Sequence, residues 1–346
     1  MKSRYSIIGG MAGSSMDGLD LAHVTFSQEQ DEWTFEVEKA TTFPYDPALF
    51  ERLKTSPSID LKKQQELDVD FGLWIAERIN EFKSGINKVD LLGIHGHTVI
   101  HKPEDGISWQ LGDGRIITKK TNILAVTDFR SLDVKLGGEG APLVPLGDFL
   151  LFQEYDACLN LGGIANISLK KNQTAWDICP CNQVLNFFAE KLGKPFDEGG
   201  ALARSGKIDQ DFYSELSKLP YFSQSPPKSL PNNFISKEIL DTINPLDGLK
   251  TYSQIIAEQI SLNLRAVDPG KILITGGGAL NHFLVDSIKE CLKDWEVIIP
   301  EKDLILFKES LVFAFLALKK FRNEINTLSS VTGASKDSSS GVIHLP

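Results

Sequence analysis

The 346-residue sequence contains few cysteines, no long apolar run and no excess of positive charge. Four cysteines, Cys158, Cys179, Cys181 and Cys291, are too few and too scattered for a disulfide framework, so we expect reduced thiols. The net charge of −10 argues against a nucleic acid or an anionic membrane as the main partner, because both require a basic surface. No run approaches the length of a membrane span. The amino terminus leads directly into a predicted strand rather than a signal region, so we expect a cytoplasmic protein.

The hydrophobic fraction of 42% is sufficient for more than one core. A single core stops growing at roughly 250–300 residues, so the chain length predicts two domains with a cleft between them. Residues 61–86, 252–266 and 309–321 carry apolar side chains three or four apart and predict amphipathic helices. Residues 33–38 alternate with period two and predict a strand. Residues 337–341 predict a turn, after which the last residues become ordered only if they pack on the first domain.

Three glycine-rich turns follow short apolar strands. The first covers residues 9–18, and the second contains Gly162 and Gly163; both lie between two predicted strands. The third contains Gly276, Gly277 and Gly278 and precedes a predicted helix, whose amino end favours an anion. Glycine lets the backbone approach a phosphate closely and leaves N–H donors available. A turn without a ligand is the alternative for any one of them, but together they predict a phosphate-binding protein.

Polar residues also follow two other apolar strands. His95, His97 and His101 lie within seven residues, at the end of a strand where ligands of open α/β sheets bind. His95 and His97 alternate faces without a Cys or Glu at ligand spacing, which favours hydrogen bonding or substrate contact over a metal site. Arg130 and Asp133 are interpreted either as a surface ion pair or as part of a cleft-edge loop.

Two strand–turn–strand elements and one strand–glycine–helix element form the arrangement of the actin, hexokinase and heat-shock-chaperone ATPase superfamily. Within it, residues 10–18, 95–98, 138–145, 160–166 and 330–335 resemble the motifs of the anhydro-N-acetylmuramic acid kinase family. The match extends over nearly the whole chain. Each motif alone is weak, but their order and spacing are specific.

The resemblance implies an α/β, two-domain, actin-like ATPase (ribonuclease H-like) fold with an interdomain cleft. We expect residues 1–130 and 325–346 in the first domain and 131–324 in the second. It also implies ATP- and Mg²⁺-dependent conversion of 1,6-anhydro-N-acetylmuramic acid to N-acetylmuramic acid 6-phosphate in cell-wall (peptidoglycan) recycling, and a homodimer. A kinase for another sugar or a carboxylate, and an inactive ATP-binding member of the superfamily, are the alternatives.

The resemblance also assigns roles to individual residues. Asp177 is the expected general base that activates water, since the sugar O6 is tied to C1 until water attacks C1. Glu309 is the second catalytic carboxylate. The expected nucleotide contacts are Gly13, Ser14, Ser15, Met16, Asp17, Gly18, Leu19, Asp20, Gly162, Gly163, Asn166, Gly276, Gly277, Gly278 and Asn281. The expected sugar contacts are Thr98, Arg130, Glu139 and Asn182, and no protein-held metal beyond Mg²⁺ organised through water is expected.

Two segments depart from the family pattern. Ala12-Gly13-Ser14-Ser15 replaces the usual Ser-Gly-Thr-Ser run and lacks one hydroxyl. In residues 177–182, Cys179 and Cys181 replace two glycines of the family's Asp-Thr-Gly-Pro-Gly-Asn. Cysteine resists the positive φ that glycine permits, so either those glycines never required it or the loop is reshaped. We expect the two thiols to be packing residues rather than metal ligands or a redox pair.

Overall fold

The computed structural model describes residues 3–13, 16–30, 32–226, 228–230 and 234–346. The chain divides into two compact units, Met1–Phe152 with Phe307–Pro346, and Gln153–Leu306. These bounds differ from the predicted segments, 1–130 with 325–346 and 131–324. Residues 131–152 and 307–324 lie in the first unit, because helices from both stretches pack on its sheet.

The first unit contains a six-stranded sheet and a separate strand pair. In spatial order the sheet is β13-β7-β4-β1-β2-β3; β1, β2 and β3 form an antiparallel meander, and β4 and β7 run parallel to β1. The predicted strand at 33–38 lies in the first half of the longer β3, which pairs with β2 along its whole length. The strands are β1 Arg4–Met11, β2 Gly18–Glu29, β3 Glu32–Pro44, β4 Leu91–His95, β5 His97–Lys102, β6 Ile107–Leu111, β7 Ala125–Thr127 and β13 Val342–His344.

Helices of the first unit bury apolar stripes against these strands. The α2 helix begins after Asp60, whose side chain accepts a hydrogen bond from the Lys63 N–H, and it buries residues spaced three or four apart. It ends at Phe82, four residues before its predicted end, because Gly85 takes a positive φ of 83° in the turn that follows. The helices are α1 Pro47–Thr55, α2 Leu61–Phe82, α3 Gly114–Thr121, α4 Ser131–Lys135, α5 Pro145–Leu151, α12 Lys302–Phe321 and α13 Ser329–Thr332, with short 3₁₀ turns at Ser56–Ser58 and Pro103–Asp105.

The α12 helix lies unusually close to β1 and β4. A Cβ atom added at Gly9 would lie 1.8 Å from the backbone oxygen of Ser310, and one at Gly93 would lie 2.4 Å from the backbone oxygen of Phe313. Any side chain at either position would therefore push the helix away from the sheet. This approach fixes the position of Glu309, which precedes Ser310 on the helix.

The last residues of the chain pack on the first unit. This is the arrangement that we expected if these residues were to be ordered. Strand β13 pairs antiparallel with β7, and the His344 imidazole bonds to the Thr127 hydroxyl at 2.9 Å. Asn326 accepts a hydrogen bond from the Ser340 N–H at 2.6 Å, which fixes the turn before β13.

The second unit repeats the sheet topology of the first. Its order is β10-β9-β8-β11-β12, again an antiparallel meander beside two parallel strands. The strands are β8 Ala157–Leu161, β9 Ile164–Leu169, β10 Thr174–Pro180, β11 Lys271–Thr275 and β12 Glu296–Ile298. The helices are α6 Asn182–Lys191, α7 Ala201–Ser205, α8 Gln210–Leu216, α9 Lys237–Asp241, α10 Pro245–Leu264 and α11 His282–Cys291, with 3₁₀ turns at Glu198–Gly200, Pro220–Ser223 and Gly277–Leu280.

One substitution tests the close packing of α12. Gly9→Ala places a methyl group against backbone rather than against a flexible side chain, so we expect it to lower the free energy of unfolding by about 2–3 kcal/mol, the upper part of the overpacking range. Gly85→Ala is the control; it has a positive φ but no atom within 4 Å of the added carbon, so only backbone strain of about 1 kcal/mol is expected. Urea unfolding measures both. Equal costs for the two variants would contradict the packing argument.

Candidate active site

The first glycine-rich turn of the first unit connects β1 to β2. The Ala12 N–H donates to the backbone oxygen of His95 at 3.0 Å, which attaches the start of the turn to the end of β4. The Met16 N–H donates to the Gly13 oxygen at 3.2 Å, and Met16 takes a positive φ of 56°. Ser14 and Ser15, predicted as phosphate ligands, lie outside the described residues.

Two other predicted nucleotide contacts have structural roles in β2. The Leu19 side chain is fully buried in the core, so it does not itself reach a nucleotide. A Cβ atom at Gly18 would lie 2.4 Å from the backbone oxygen of Phe43, so the pairing of β2 with β3 requires glycine there. A phosphate role for either residue therefore involves backbone N–H groups alone.

Carboxylates gather beside this turn. The Asp20 carboxylate accepts a hydrogen bond from the Thr42 hydroxyl at 2.5 Å, and the Ser310 hydroxyl donates to the Asp20 backbone oxygen at 3.0 Å. Burial raises the pKa of Asp20 to about 6, and the negative charges of Asp17 and Glu309 act in the same direction. Such a group of carboxylates is suited to a cation or to the hydroxyls of a polar ligand.

Glu309 and Arg130 form an oppositely charged pair of the first unit. Burial raises the pKa of Glu309, while the positive charges of Lys308 and Arg130 oppose that rise. Burial lowers the pKa of Arg130 to about 10, and Glu309 opposes that fall. The Arg130 guanidinium donates from Nε to Nε2 of His95 at 2.8 Å and from Nη1 to the backbone oxygen of Gly140 at 2.7 Å.

The loop after Arg130 is held by a buried carboxylate. Asp133 is fully buried and accepts hydrogen bonds from the Gly140 N–H at 2.8 Å and the Thr332 hydroxyl at 2.7 Å. The interpretation of Arg130 and Asp133 as a surface ion pair was therefore wrong. Glu139, a predicted sugar contact, donates its N–H to the Thr332 backbone oxygen at 2.8 Å. The same network thus fixes both Arg130 and Glu139.

Thr98, the remaining sugar contact predicted in this unit, lies on β5 opposite Gln110. A cavity of about 220 Å³ borders the same segment and is lined in part by Gly96, Gln110 and Ser131. A larger cavity of about 740 Å³ lies among α7, α8, α10 and α11 of the second unit, and none of its lining residues belongs to the predicted site.

In the second unit the glycine turns surround a row of polar side chains. Asn160, Asn166 and Asp177 lie directly opposite one another across β8, β9 and β10, so their side chains occupy the same face. Gly162 and Gly163 connect β8 to β9 at the end of this row. A Cβ atom at Gly276, where φ is 82°, would lie 2.6 Å from Oδ1 of Asn160. The structure thus brings together residues that the sequence separates by up to 116 positions, from 160 to 276.

Asn182 connects two of these glycine turns. Its side-chain amide donates to the Leu161 backbone oxygen at 2.9 Å, and its N–H donates to the Gly162 oxygen at 3.1 Å. A Cβ atom at Gly278 would lie 3.2 Å from Oδ1 of Asn182. Asn182, predicted to contact sugar, therefore stands at the glycine turns predicted to contact nucleotide.

Asn281, predicted to contact nucleotide, caps a helix. Its side-chain oxygen accepts a hydrogen bond from the Leu284 N–H at 3.0 Å at the start of α11. A Cβ atom at Gly200, where φ is 74°, would lie 2.3 Å from that oxygen. Asn281 therefore positions the amino end of α11, and its contact with a nucleotide stays a prediction.

Asp177 lies in the middle of β10, where residues of a distant segment hold it. One carboxylate oxygen accepts a hydrogen bond from the Leu230 N–H at 2.9 Å, and the Tyr221 hydroxyl donates to the Asp177 backbone oxygen at 2.7 Å. The Asp177 N–H donates to the Lys228 backbone oxygen at 3.1 Å. Burial raises the pKa of this carboxyl group, and the Leu230 N–H opposes the rise. A higher pKa makes the carboxylate a stronger proton acceptor.

The two cysteines beside Asp177 are core residues. Cys179 and Cys181 are fully buried in the apolar core of the second unit, where burial raises both thiol pKa values. Neither residue has a positive φ. The family's glycine positions therefore do not require a left-handed backbone in this chain, and a bulge between Asp177 and Cys179 adjusts the register of β10 instead.

The two repeated sheets, each with a glycine turn between its first two strands, define a member of the actin-like (ribonuclease H-like) ATPase fold class. A profile of the family "Anhydro-N-acetylmuramic acid kinase" matches residues 5–346. The chain belongs to that family.

The chain aligns with curated relatives over nearly their full length. The chain is 30% identical to an anhydro-N-acetylmuramic acid kinase of Sulfurimonas denitrificans, covering 97% of this chain and 98% of that protein. It is 33% identical to the one of Mannheimia succiniciproducens, covering 99% of each. Among solved structures, a ROK family glucokinase from Streptomyces griseus is 14% identical with a TM-score of 0.44, covering 91% of this chain and 99% of that one.

The family, the fold class and the enzyme class predicted from the motifs are confirmed: the chain is an ATP-using kinase of peptidoglycan recycling. No helix in the described part of the chain is long and apolar enough to cross a membrane. The individual site residues stay predictions.

Four structurally important residues were not among the predicted site residues. His95 bonds to Arg130, Asp133 holds the loop before Gly140, and Tyr221 bonds to the Asp177 backbone. Tyr45 is the fourth; burial and the charges of Asp17 and Asp20 raise its pKa, and its hydroxyl is buried without a hydrogen-bond partner in the regions that the structure covers. His95 carried a sequence signal in its place at the end of an apolar strand, and Asp133 in its place in the predicted cleft-edge loop; the two tyrosines carried none.

The raised pKa of Asp20 predicts a pH-dependent effect on stability. Because its folded-state pKa, about 6, exceeds the ordinary value of 3.8, the folded state loses stability as the pH rises between those values. Asp20→Asn removes that charge and keeps an acceptor for Thr42. We expect it to raise the free energy of unfolding by about 1–3 kcal/mol at about pH 8, and by less at about pH 5.

Urea unfolding at the two pH values measures this effect. Asp268→Asn, an exposed carboxylate of the second unit, is the control and should change stability by less than about 0.5 kcal/mol. An Asp20→Asn effect of the same size at both pH values would show that the buried charge is not its cause.

Proposed function

We propose that this chain opens 1,6-anhydro-N-acetylmuramic acid with water and transfers the γ-phosphoryl group of ATP to O6, giving N-acetylmuramic acid 6-phosphate. The observation that carries the proposal is family membership over residues 5–346 together with a positioned, partly buried Asp177 carboxylate. The chemistry requires such a base, because O6 has no free hydroxyl before the ring opens.

The reaction balances with Asp177 as the proton acceptor. Asp177 takes a proton from water as the water oxygen bonds to C1. The C1–O6 bond breaks, and its electron pair stays on O6. O6 then bonds to the γ-phosphorus of ATP while the bond from phosphorus to the bridging oxygen breaks, so that ADP leaves with that electron pair. The Leu230 N–H bonds to one carboxylate oxygen and orients the other toward the water.

Residues of the first unit have roles in sugar and phosphate binding. Glu309 and Arg130 present a carboxylate and a guanidinium, which recognise hydroxyl and acidic groups of a sugar acid. The turn at residues 11–18 supplies backbone N–H donors to phosphate. Gly162 and Gly163 play the corresponding part in the second unit, beside Asn160 and Asn166. The Gly276 N–H donates to the Ile305 backbone oxygen, so this glycine contributes by letting its turn lie against Asn160.

The residues beside the first turn fit Mg²⁺. Asp20 and Asp17 are oxygen donors, and burial and neighbouring negative charge raise the pKa of Asp20 to about 6, so a nearby cation would relieve its electrostatic cost. Mg²⁺ keeps several waters and binds through one or two carboxylates and substrate phosphates. It would neutralise charge on the ATP phosphates when bound. No cluster of three or more His, Cys, Asp or Glu side chains suited to a metal occurs among the residues with described positions.

A cytoplasmic location and a homodimer complete the proposal. The four dispersed cysteines, expected as reduced thiols, support the first, and the family resemblance alone supports the second. Size-exclusion chromatography with light scattering decides the assembly, since a monomer has a mass of 38.3 kDa.

A coupled ADP-release assay tests the substrate. We expect turnover with 1,6-anhydro-N-acetylmuramic acid and Mg²⁺-ATP, at least about 100 times faster in kcat/KM than with N-acetylmuramic acid or glucose, which lack the bond that water must open. Mass spectrometry should show one water-derived oxygen in the product made in ¹⁸O-water. Preference for a sugar with a free hydroxyl would support the ordinary sugar-kinase alternative. No turnover with any of them, despite ATP binding, would support the inactive one.

Asp177→Asn tests the general base. The amide still accepts the Leu230 N–H bond but does not accept the proton, so we expect kcat to fall by about 10²–10⁴-fold while ATP affinity stays within about twofold. Asp286→Asn, an exposed carboxylate of the same unit paired with Arg204, is the control and should retain activity. Near-normal turnover of Asp177→Asn would exclude Asp177 as the base.

A further inference from the structure

We infer that His95 is a positioning residue for Arg130: the neutral imidazole accepts the Arg130 Nε–H bond and thereby directs the rest of the guanidinium toward its ligand. This inference rests on the proposed function, in which Arg130 faces the sugar. It assigns a role to a histidine that the phosphoryl-transfer steps do not use.

The hydrogen-bond direction fixes the state of the ring. Arginine Nε is only a donor, so Nε2 of His95, 2.8 Å away, must carry a lone pair. The proton of the neutral ring then lies on Nδ1. Nδ1 is buried without a hydrogen-bond partner within the described segments, so the bond to Arg130 is the polar contact that accounts for this imidazole in the core.

Packing holds the ring as well as the hydrogen bond. The His95 ring lies on the Phe313 ring, with centroids 4.6 Å apart. Phe313 is one turn after Glu309 on α12, and the backbone of that turn lies directly against Gly93, two residues before His95. His95 therefore connects the strand, the helix that carries Glu309, and the loop that carries Arg130.

The remaining donors of Arg130 are available to a ligand. Nε and Nη1 bond to His95 and to the Gly140 oxygen, which fixes the plane of the guanidinium. Within the residues whose positions are described, no protein group accepts a hydrogen bond from Nη2. A guanidinium held at two corners presents its third nitrogen with little loss of conformational freedom on binding, and that is the benefit of positioning. A mobile Arg130 would bind the same sugar more weakly.

A matched pair of variants isolates the hydrogen bond. His95→Gln keeps an acceptor near the place of Nε2, whereas His95→Met has a similar size and no strong acceptor. We expect His95→Met to lower kcat/KM for the anhydro sugar by about 10- to 100-fold, the range for a hydrogen bond to a charged group, and His95→Gln to recover it to within about threefold of the wild type. The KM for ATP should change by less than about twofold in both.

Coupling to Arg130 distinguishes positioning from simple packing. In an Arg130→Lys background, which has no Nε–H to be accepted, the Met and Gln variants should differ by less than about twofold. Equal losses in His95→Met and His95→Gln, accompanied by equal falls in melting temperature, would reduce His95 to a core residue and overturn the inference. A persistent difference in the Lys background would also overturn it.

Nitrogen NMR of histidine-labelled protein tests the contact independently of activity. His95→Gln identifies the His95 signals by their absence. We expect the neutral Nδ1–H tautomer at about pH 7, with Nε2 shifting when Arg130 becomes lysine. The Nε2–H tautomer, or a doubly protonated ring, would overturn the inference. If wild-type protein did not phosphorylate the anhydro sugar, the proposed function would fail, while this spectrum would still decide whether His95 holds Arg130.

Discussion

The first unit depends on the close approach of α12 to β1 and β4. Gly9 and Gly93 have no side chains, and the helix backbone occupies the space where their Cβ atoms would lie, at 1.8 and 2.4 Å. The helix thereby brings Glu309 toward Asp20 and Phe313 under His95. Glycine weakens a strand, so the presence of Gly9 and Gly93 in two core strands is explained by the close approach of α12 that they permit. Glu309 owes its position near Asp20 to that contact.

In the second unit, glycines likewise permit a close approach, here between the turn after β11 and the end of β8. Gly276 and Gly278 follow β11, and side chains there would collide with Asn160 and Leu161 of the neighbouring strand. The turn therefore lies directly against the end of β8, beside Asn160. Because both units share one sheet order, the same strand end carries the polar residues in each. The glycines leave space because they have no side chains, and the polar side chains beside that space determine which ligands can bind in it.

Local patterns allowed much of this to be predicted. A glycine turn after an apolar strand can be recognised from adjacent residues alone. Nonlocal contacts could not be predicted in the same way. Nothing in the sequence pairs His95 with Arg130, 35 residues apart, or buries Asp133. The predicted domain bounds differ from the observed ones for the same reason. The sequence of α12 predicts only an amphipathic helix, and its contacts with Gly9 and Gly93 are needed to show which sheet it covers.

Burial opposes charge at three carboxylates assigned to chemistry, Asp20, Glu309 and Asp177. It is the largest cause of the raised pKa at Asp20, Glu309 and Asp177, in both units. The folded protein without ligands therefore bears an electrostatic cost at these positions that apolar or amide side chains would avoid. A cation, a hydroxyl donor or a proton removes that cost when it arrives, so the same burial that destabilises the free protein strengthens ligand binding and basicity. Stability and function are in opposition at these three residues, because both depend on the exclusion of water from their side chains.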